Sequence, residues 1–536
     1  MVNITDSLSR YWIALDQHTD RQHRIALAVI VISGFLLRFY SLHVGQAYTY
    51  FAINDEVTAL QYALGLLSGD SQMLYLGSPV LNQGNIPGPL WTLLIAVLYL
   101  LGGSSAEGAV FGMVVLNSLA IYIVYKLASA FMPGRYALLS TLLFATSPWA
   151  IYYTAGLYNP NPLVLLGGLL FLNLWRATHT DNSKAIFWVC LLAAAIPQFH
   201  MIGIFYLPVI LLVLFLSTAR INIRWFIFGA LAGLLLYLPY LIGDYLNDWQ
   251  NTRAILNGNS PFSFGIFKII TIPIAMLANH PGQWAGPTFD EFKIYANQYF
   301  GSYILLIIIN LISLILAATF LISLLRKTWR YLRDDGFRLR ESYHKHPVIL
   351  FTAIIVLLPL LLYTLTGRAY TTRYSIILFP LLFLMPALFL IHYPAGRVKN
   401  IVIYSLAFLL YVNVYMVLSF YQDQDYRIKN STVFMPSFST LEHIKDTIDS
   451  ATKPFDKIEF IYSDTINKLP EGQRKLYKTI KGFIVAYSTI PSSSTVIRNP
   501  RKFLITDKHT TNEYHNAQVI YTSPSITILE ITDIRK

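Results

Sequence analysis

Apolar residues recur in runs of roughly bilayer length from Ile25 to Phe420, separated by short polar or charged segments, and the pattern then stops. A helix that spans lipid needs about 20 predominantly apolar residues. Such runs lie at Ile25 to Leu42, Gly108 to Leu127, Tyr136 to Tyr153, Leu163 to Leu174, Ala185 to Ile196, Ile202 to Ser217, Trp225 to Ile242, Tyr303 to Leu325, Pro347 to Leu365, Ile376 to His392 and Ile401 to Phe420. They predict about eleven transmembrane helices.

The run Pro89 to Leu101 is apolar but short of a full span, and charge decides its place. If it does not cross, one side of the membrane collects Lys126 and Arg135, Arg176 and Lys184, Arg220 and Arg224, the basic stretch Arg326 to Lys345, and Arg397 with Lys399. The other side then includes His43 to Glu107, which holds Asp55, Glu56, Asp70 and Glu107 and no Lys or Arg. A crossing at Pro89 to Leu101 would invert the positive-inside rule in every later loop. The segment is therefore expected as a re-entrant or interfacial helix on the outer side. The outer face would gather His43 to Glu107, Ala155 to Pro162, Pro197 to Met201, the long loop Gly243 to Gly301, and Thr366 to Arg373.

Residues 421–536 read as a soluble segment. Lys457 to Tyr462, Lys502 to Thr506, Gln518 to Thr522 and Ser525 to Ile531 have the β-branched and aromatic composition of strands, with helix-like Thr440 to Ile448 and Ile466 to Ile480 among them. The expected architecture is a membrane all-α bundle with a small C-terminal α/β extracytoplasmic domain. Residues 1–24 form a cytoplasmic N-terminus, 25–420 the transmembrane module and 421–536 the outer domain. Composition agrees, since 55% hydrophobic and 13% charged residues leave too little polar surface for a soluble globule of 536 residues. The net charge of +12 is carried mainly by the short loops, so no nucleic-acid partner is expected. The single cysteine, Cys190, permits no intramolecular disulfide.

Candidate chemistry begins at Asn54-Asp55-Glu56, which opens the helical pattern Val57, Leu60, Leu64, Leu67 beyond the outer end of the first span. Two adjacent carboxylates there can cap a helix and favour its dipole, or serve a reaction. Arg368 and Arg373, the basic residues of the outer turn before the tenth span, can bind phosphate or snorkel to lipid headgroups. Tyr370 and Tyr374 suit an interfacial aromatic belt, and His200 in Pro197-Gln198-Phe199-His200 suits either a structural turn or a polar ligand.

The acidic motif after the first span resembles that of the GT-C superfamily glycosyltransferases. Bacterial relatives of protein O-mannosyltransferases and the aminoarabinose transferases of lipid A are most similar. Pro87-Gly88-Pro89-Leu90, Ser147-Pro148, Arg373-Tyr374 and Arg38 follow in the family order, although each taken alone also fits a helix start or kink. The resemblance spans roughly residues 25–420. Two departures stand out. The turn Tyr158-Asn159-Pro160-Asn161-Pro162 lacks the acidic residue of many relatives, which removes a carboxylate that a hard divalent cation would use. Ile86 replaces the lysine of aminoarabinose-type enzymes, which points away from lipid A as acceptor.

The resemblance implies transfer of a sugar from a polyprenyl-phosphate donor to a glycan, lipid or protein acceptor outside the membrane, with inversion; the missing carboxylate of the 158–162 turn leads to the expectation of no cofactor and no metal. It implies Asp55 as general base with Glu56 beside it, Arg373, Arg368 and Arg38 on the donor phosphate, and Tyr374, His200 and Asn159 at the substrate. A bacterial or archaeal cell membrane is the implied location. A transporter of lipid-linked sugars or polysaccharide, and an O-antigen polymerase or ligase, are the competing classes. The transporter would not need an acidic pair beside the first span, and the polymerase or ligase usually places its key residues in a later, large outer loop.

Overall fold

Nearly every apolar run forms a helix. The computed structural model describes residues 20–40, 42, 53–80, 84–153, 156–257, 265–278, 289–366, 372–429, 458–462, 501–506, 517–522 and 527–531. Within these, side chains are described outside residues 20, 53–55, 57, 291, 372–373 and 424–429 and the four C-terminal strands.

The chain opens with α1 (Asp20–Tyr40) and α2 (Ile53–Leu67), a 3-10 turn (Ser71–Leu74) and a hairpin of β1 (Leu76–Pro79) and β2 (Asn85–Pro87). There follow α3 (Leu90–Leu101), α4 (Ala106–Phe131), α5 (Gly134–Thr146), α6 (Pro148–Tyr152), α7 (Leu163–His179) and α8 (Ala185–Phe199). A 3-10 turn (Met201–Phe205) leads to α9 (Tyr206–Leu216), α10 (Ile223–Leu246), α11 (Gln250–Asn257), α12 (Lys268–Ala278) and α13 (Phe289–Phe300). Next come α14 (Tyr303–Asp334), α15 (Leu339–Lys345), α16 (Pro347–Leu365), a 3-10 stretch (Thr372–Leu378), α17 (Phe379–Leu382), α18 (Met385–His392) and α19 (Arg397–Lys429).

Among the described residues, seven spans are long and apolar enough to cross a membrane: Arg21–Tyr40, Ala106–Phe131, Ile223–Leu246, Tyr303–Asp334, Pro347–Leu365, Tyr374–His392 and Arg397–Asp423. The other four expected crossings are shorter helices, α5 with α6, α7, α8, and α9, none exceeding 17 residues. Proline accounts for one break. Pro148 cannot donate an N–H, so α5 stops at Thr146 and Ser147 restarts the chain, its Oγ accepting from the Ala150 N–H at 3.3 Å.

Tyr374–His392 is 89% buried and occupies the centre, whereas Arg21–Tyr40, at 11%, and Ile223–Leu246, at 22%, lie at the periphery. The long peripheral α10 meets α8 at Gly229, where a side-chain carbon would come within 2.6 Å of the Phe187 carbonyl.

The helix ends sort into two groups. At one end Ser217 donates to the Thr178 carbonyl, and the His179 ring lies 5.6 Å from Tyr343. The basic segments 176–184, 217–224 and 326–347 meet there. At the other end the hairpin, Gly88, the last turn of α8 and the end of α10 come together. Both ends of α3 belong to this second group: Gly88 before it packs on Gln198, and Gly102 after it lies against Gly108 in the first turn of α4. The segment thus lies across one end of the bundle.

The long stretch 243–301, expected as an outer loop, contains more structure than its sequence suggested. Its α12 enters the bundle: Ile272, Met276, Leu277 and Ala278 are buried, and the Ala278 carbonyl accepts from Ser313 Oγ at 2.6 Å. The run is apolar but short and interrupted by Pro273, which hid it among loop residues.

In the C-terminal part, β3 (Ile458–Tyr462), β4 (Arg501–Thr506), β5 (Ala517–Thr522) and β6 (Thr527–Ile531) form one sheet in the order β3-β4-β6-β5. β3 and β4 are parallel, and β6 is antiparallel to both β4 and β5. The expected helices Thr440 to Ile448 and Ile466 to Ile480 lie outside the described residues.

Candidate active site

The end of the bundle away from the basic loops carries most of the residues singled out from sequence. Asn54, Asp55 and Glu56 all fall in the first turn of α2, as the apolar spacing predicts. Glu56 is buried there, 2% exposed. The side chain of Asp55 lies outside the described residues. α2 packs on α3 and on the hairpin, where Asn85 Nδ2 donates to Tyr62 Oη at 3.2 Å and to the Gly77 carbonyl at 2.8 Å.

Pro87-Gly88-Pro89 forms the turn into α3. Gly88 holds φ of 105°, open to glycine, and a side-chain carbon there would strike the Gln198 amide. Gln198 is fully buried and donates through Nε2 to the Leu236 carbonyl at 3.0 Å, three residues before Pro239 loosens α10. It therefore fixes the Pro-Gly-Pro turn against a proline-modified turn of α10. Gln198 Oε1, Trp91 Nε1 and Thr92 Oγ1 are buried without a hydrogen-bond partner among the described residues.

The structure brings His200 and Tyr374 together, with ring centroids 4.7 Å apart. His200 Nδ1 accepts from the Ile202 N–H at 3.2 Å, so the neutral ring carries its proton on Nε2. Asn159 is half-buried in the turn before α7, which packs along the 3-10 stretch 372–378 that carries Tyr374. Beside it, Asn161 Nδ2 holds the turn through the Gly156 carbonyl at 2.8 Å. Arg373 has its backbone in this 3-10 stretch, one residue before the tyrosine in contact with His200. The side chain of Arg373 and all of Arg368 lie outside the described residues.

Arg38 is wholly buried rather than surface-seeking. Its Nη1 donates to the Gly34 carbonyl at 2.9 Å and the Ala145 carbonyl at 3.1 Å, and its guanidinium lies 5.4 Å from the Phe144 ring centre. These bonds join α1 to the end of α5 just ahead of the Ser147-Pro148 break.

One acidic residue escaped notice in the sequence. Asp244, 1% exposed near the end of α10, accepts from the Asn251 N–H at 2.9 Å, the Thr252 N–H at 3.1 Å, Tyr240 Oη at 3.1 Å and Thr252 Oγ1. Its partners Asn251 and Thr252 follow a reversal at Asp248 and Trp249, both at positive φ, and Asn251 exchanges two hydrogen bonds with the backbone of Asn85 in the hairpin. Asp244 thus ties α10 and α11 to the floor of the site. Among the described residues no three His, Cys, Asp or Glu side chains gather as metal ligands.

Two crystal structures of ArnT from Cupriavidus metallidurans superpose on nearly the whole chain. The form bound to undecaprenyl phosphate is 10% identical with a TM-score of 0.55, covering 96% of this chain and 98% of that one. For the apo form the figures are 11%, 0.56, 94% and 97%. The chain shares the fold of these two structures. Residues 86–242 match the family model described as dolichyl-phosphate-mannose-protein mannosyltransferase. That match starts at the Pro-Gly-Pro turn and runs through Asn159, Gln198 and His200. No curated protein matches the chain by sequence.

Proposed function

We propose that the protein is an integral membrane glycosyltransferase that moves a sugar from a polyprenyl-phosphate donor to an acceptor on the outer face, with about eleven crossings and Asp55 as general base. The observation that carries this reading is the acidic first turn of α2, with Glu56 buried, at the same end of a GT-C fold as the His200–Tyr374 contact. Similarity to a structure holding undecaprenyl phosphate supports the donor class.

In the proposed reaction the acceptor hydroxyl oxygen attacks the anomeric carbon as the bond from that carbon to the phosphate oxygen breaks. The hydroxyl proton passes to Asp55, and the polyprenyl phosphate leaves with the bonding electrons. Its charge is already spread over phosphate oxygens, so a single base suffices and the sugar inverts. Glu56 orients the acceptor or Asp55. Arg373 and Arg368 hold the phosphate by paired charged hydrogen bonds. Tyr374, His200 and Asn159 line the sugar, with the Nε2 proton of His200 available as a donor. Arg38, which fixes α1 against α5 through two carbonyls, is the third cation proposed for the donor phosphate. The sheet of residues 421–536 is assigned to the same outer side.

The test is transfer of radiolabelled sugar from a polyprenyl-phosphate donor by the protein in detergent, with cell-envelope extract as acceptor. Label appearing in the acceptor with release of the free polyprenyl phosphate is expected. A donor that is never cleaved in detergent, yet crosses intact when the protein is reconstituted in vesicles, would assign the chain to the transporters instead.

A further inference from the structure

At the end of the bundle opposite the candidate active site, a cavity of about 310 Å³ opens between the turn joining α7 to α8 and the turn joining α9 to α10. α8 separates the two places, with Ile186 at the cavity and Phe199 at the active end. The polar lining comes from Thr180, Asp181, Asn182, Ser183, Arg220 and Asn222.

Several of these groups already have work to do. Thr180 Oγ1 donates to the Arg176 carbonyl at 2.8 Å and accepts from the Asn182 N–H at 3.3 Å, and Asn222 Oδ1 caps α10 through the Trp225 N–H at 3.3 Å. Ser217 Oγ binds the Thr178 carbonyl at 3.0 Å and the Ala219 N–H at 3.0 Å, which locks the two turns together. The cavity walls are thus held in place by bonds that leave Arg220, Asn182 and Ser183 free to face a ligand. Among the described residues Arg220 and Asp181 make no ion pair, although both line the cavity.

The surroundings are cationic. Arg176 stands in the last turn of α7, Lys184 precedes α8 with its Nζ 5.6 Å from the Trp225 ring centre, and Arg224 lies in the first turn of α10, so with Arg220 the two turns and the helix ends beside them carry four cations against the carboxylate of Asp181. Exposed apolar side chains flank the opening: Ile221 in its wall, Phe215, Ile223 and Trp188 on the helices around it. A phosphate with attached hydrocarbon matches a cationic, hydrogen-bonding recess set beside a lipid-facing surface.

We propose that this recess binds the phosphate-ester headgroup of an anionic phospholipid in the leaflet opposite the active site, with Arg220 on the phosphate, Asn182 and Ser183 on its oxygens, and the acyl chains along Ile221, Ile223 and Trp188. The site owes nothing to the sugar-transfer reading and stands or falls separately.

The test is native mass spectrometry of the full chain in detergent with added phosphatidylglycerol or phosphatidylcholine, and with inorganic phosphate as a separate arm. Phosphatidylglycerol adducts should persist where phosphatidylcholine adducts do not, and Arg220→Gln should reduce them by about fivefold, the worth of one basic residue at an anionic surface. Arg326→Gln, at the same end but outside the recess, should leave them unchanged. Asp181→Asn removes the repelling carboxylate at an exposed position and should raise retention, which keeps the test open if Arg220→Gln folds poorly. Equal retention of the two lipids overturns the proposal. So does binding of inorganic phosphate without preference for phosphatidylglycerol, or loss of retention in Arg326→Gln equal to that in Arg220→Gln.

Discussion

Asp244 accepts four hydrogen bonds in a nearly solvent-free position, so truncating it strands the Asn251 and Thr252 N–H groups and leaves the Tyr240 and Thr252 hydroxyls only each other and Asn251 Nδ2 as partners. Asp244→Ala should destabilise the protein by about 2–4 kcal/mol. The loss would be read as a lower thermal midpoint in detergent, with Asn251→Ala showing a smaller fall. Gly88→Ala forces a side chain into both a positive φ and the Gln198 amide, at a cost of about 1–3 kcal/mol. It should lower sugar transfer together with stability, since Gln198 connects that turn to α10. A fully active, equally stable Gly88→Ala protein would deny the turn its role. These residues differ in how readable they were. Glu56 and Gly88 sit in short contiguous motifs, and Asp55 shares that visibility. Asp244 acts on Asn251 and Thr252 across a turn whose left-handed residues Asp248 and Trp249 carry no glycine signal, so nothing local announced it. The burial of Arg38 was likewise hidden, because the acceptor on Ala145 lies 107 residues away.

Helices were the legible elements, because hydrocarbon leaves the backbone no partner but itself and so forces long apolar runs. The run expected at Ala185 to Ile196 is the helix Ala185–Phe199, and that at Pro347 to Leu365 matches to the residue. Interruptions were less legible. Pro380 and Pro386 divide the tenth run into a 3-10 stretch and two short helices, and the hairpin Leu76–Pro87 is too short and glycine-bearing to register as strands. α12 was missed because a short apolar run with an internal proline looks the same in a loop as in a re-entrant segment. The placement of α3 across one end rests on both its termini, and it has a direct test. On a Cys190→Ser background, Ser71→Cys and Ser104→Cys, which flank α3, should label from the same side of sealed vesicles, Ser71 being exposed and Ser104 a side-chain-bearing residue already at positive φ. Labelling of the two from opposite sides would mean that α3 crosses.

For the molecule as a whole, the central span Tyr374–His392 links the buried core to the His200–Tyr374 contact, and Arg373 sits at its entrance. A phosphodiester approaching Asp55 and Glu56 needs a cation to offset the repulsion. Arg373→Ala should cost about 2 kcal/mol of donor binding, roughly thirtyfold in affinity, with little change in thermal midpoint. Unchanged donor affinity would leave Arg373 a headgroup anchor. The C-terminal strands were legible from β-branched composition, but their order was not, since the parallel β3–β4 pairing joins segments about 40 residues apart. The central claim is that the acidic turn of α2 supplies the base. Asp55→Asn keeps the shape and much of the capping capacity of the side chain while removing its basicity. The decisive measurement is the rate of radiolabelled sugar transfer by purified Asp55→Asn protein whose thermal midpoint equals that of the wild type. A fall of about 10²–10⁴ with donor binding retained is the predicted result. Transfer within a few fold of wild type would contradict it.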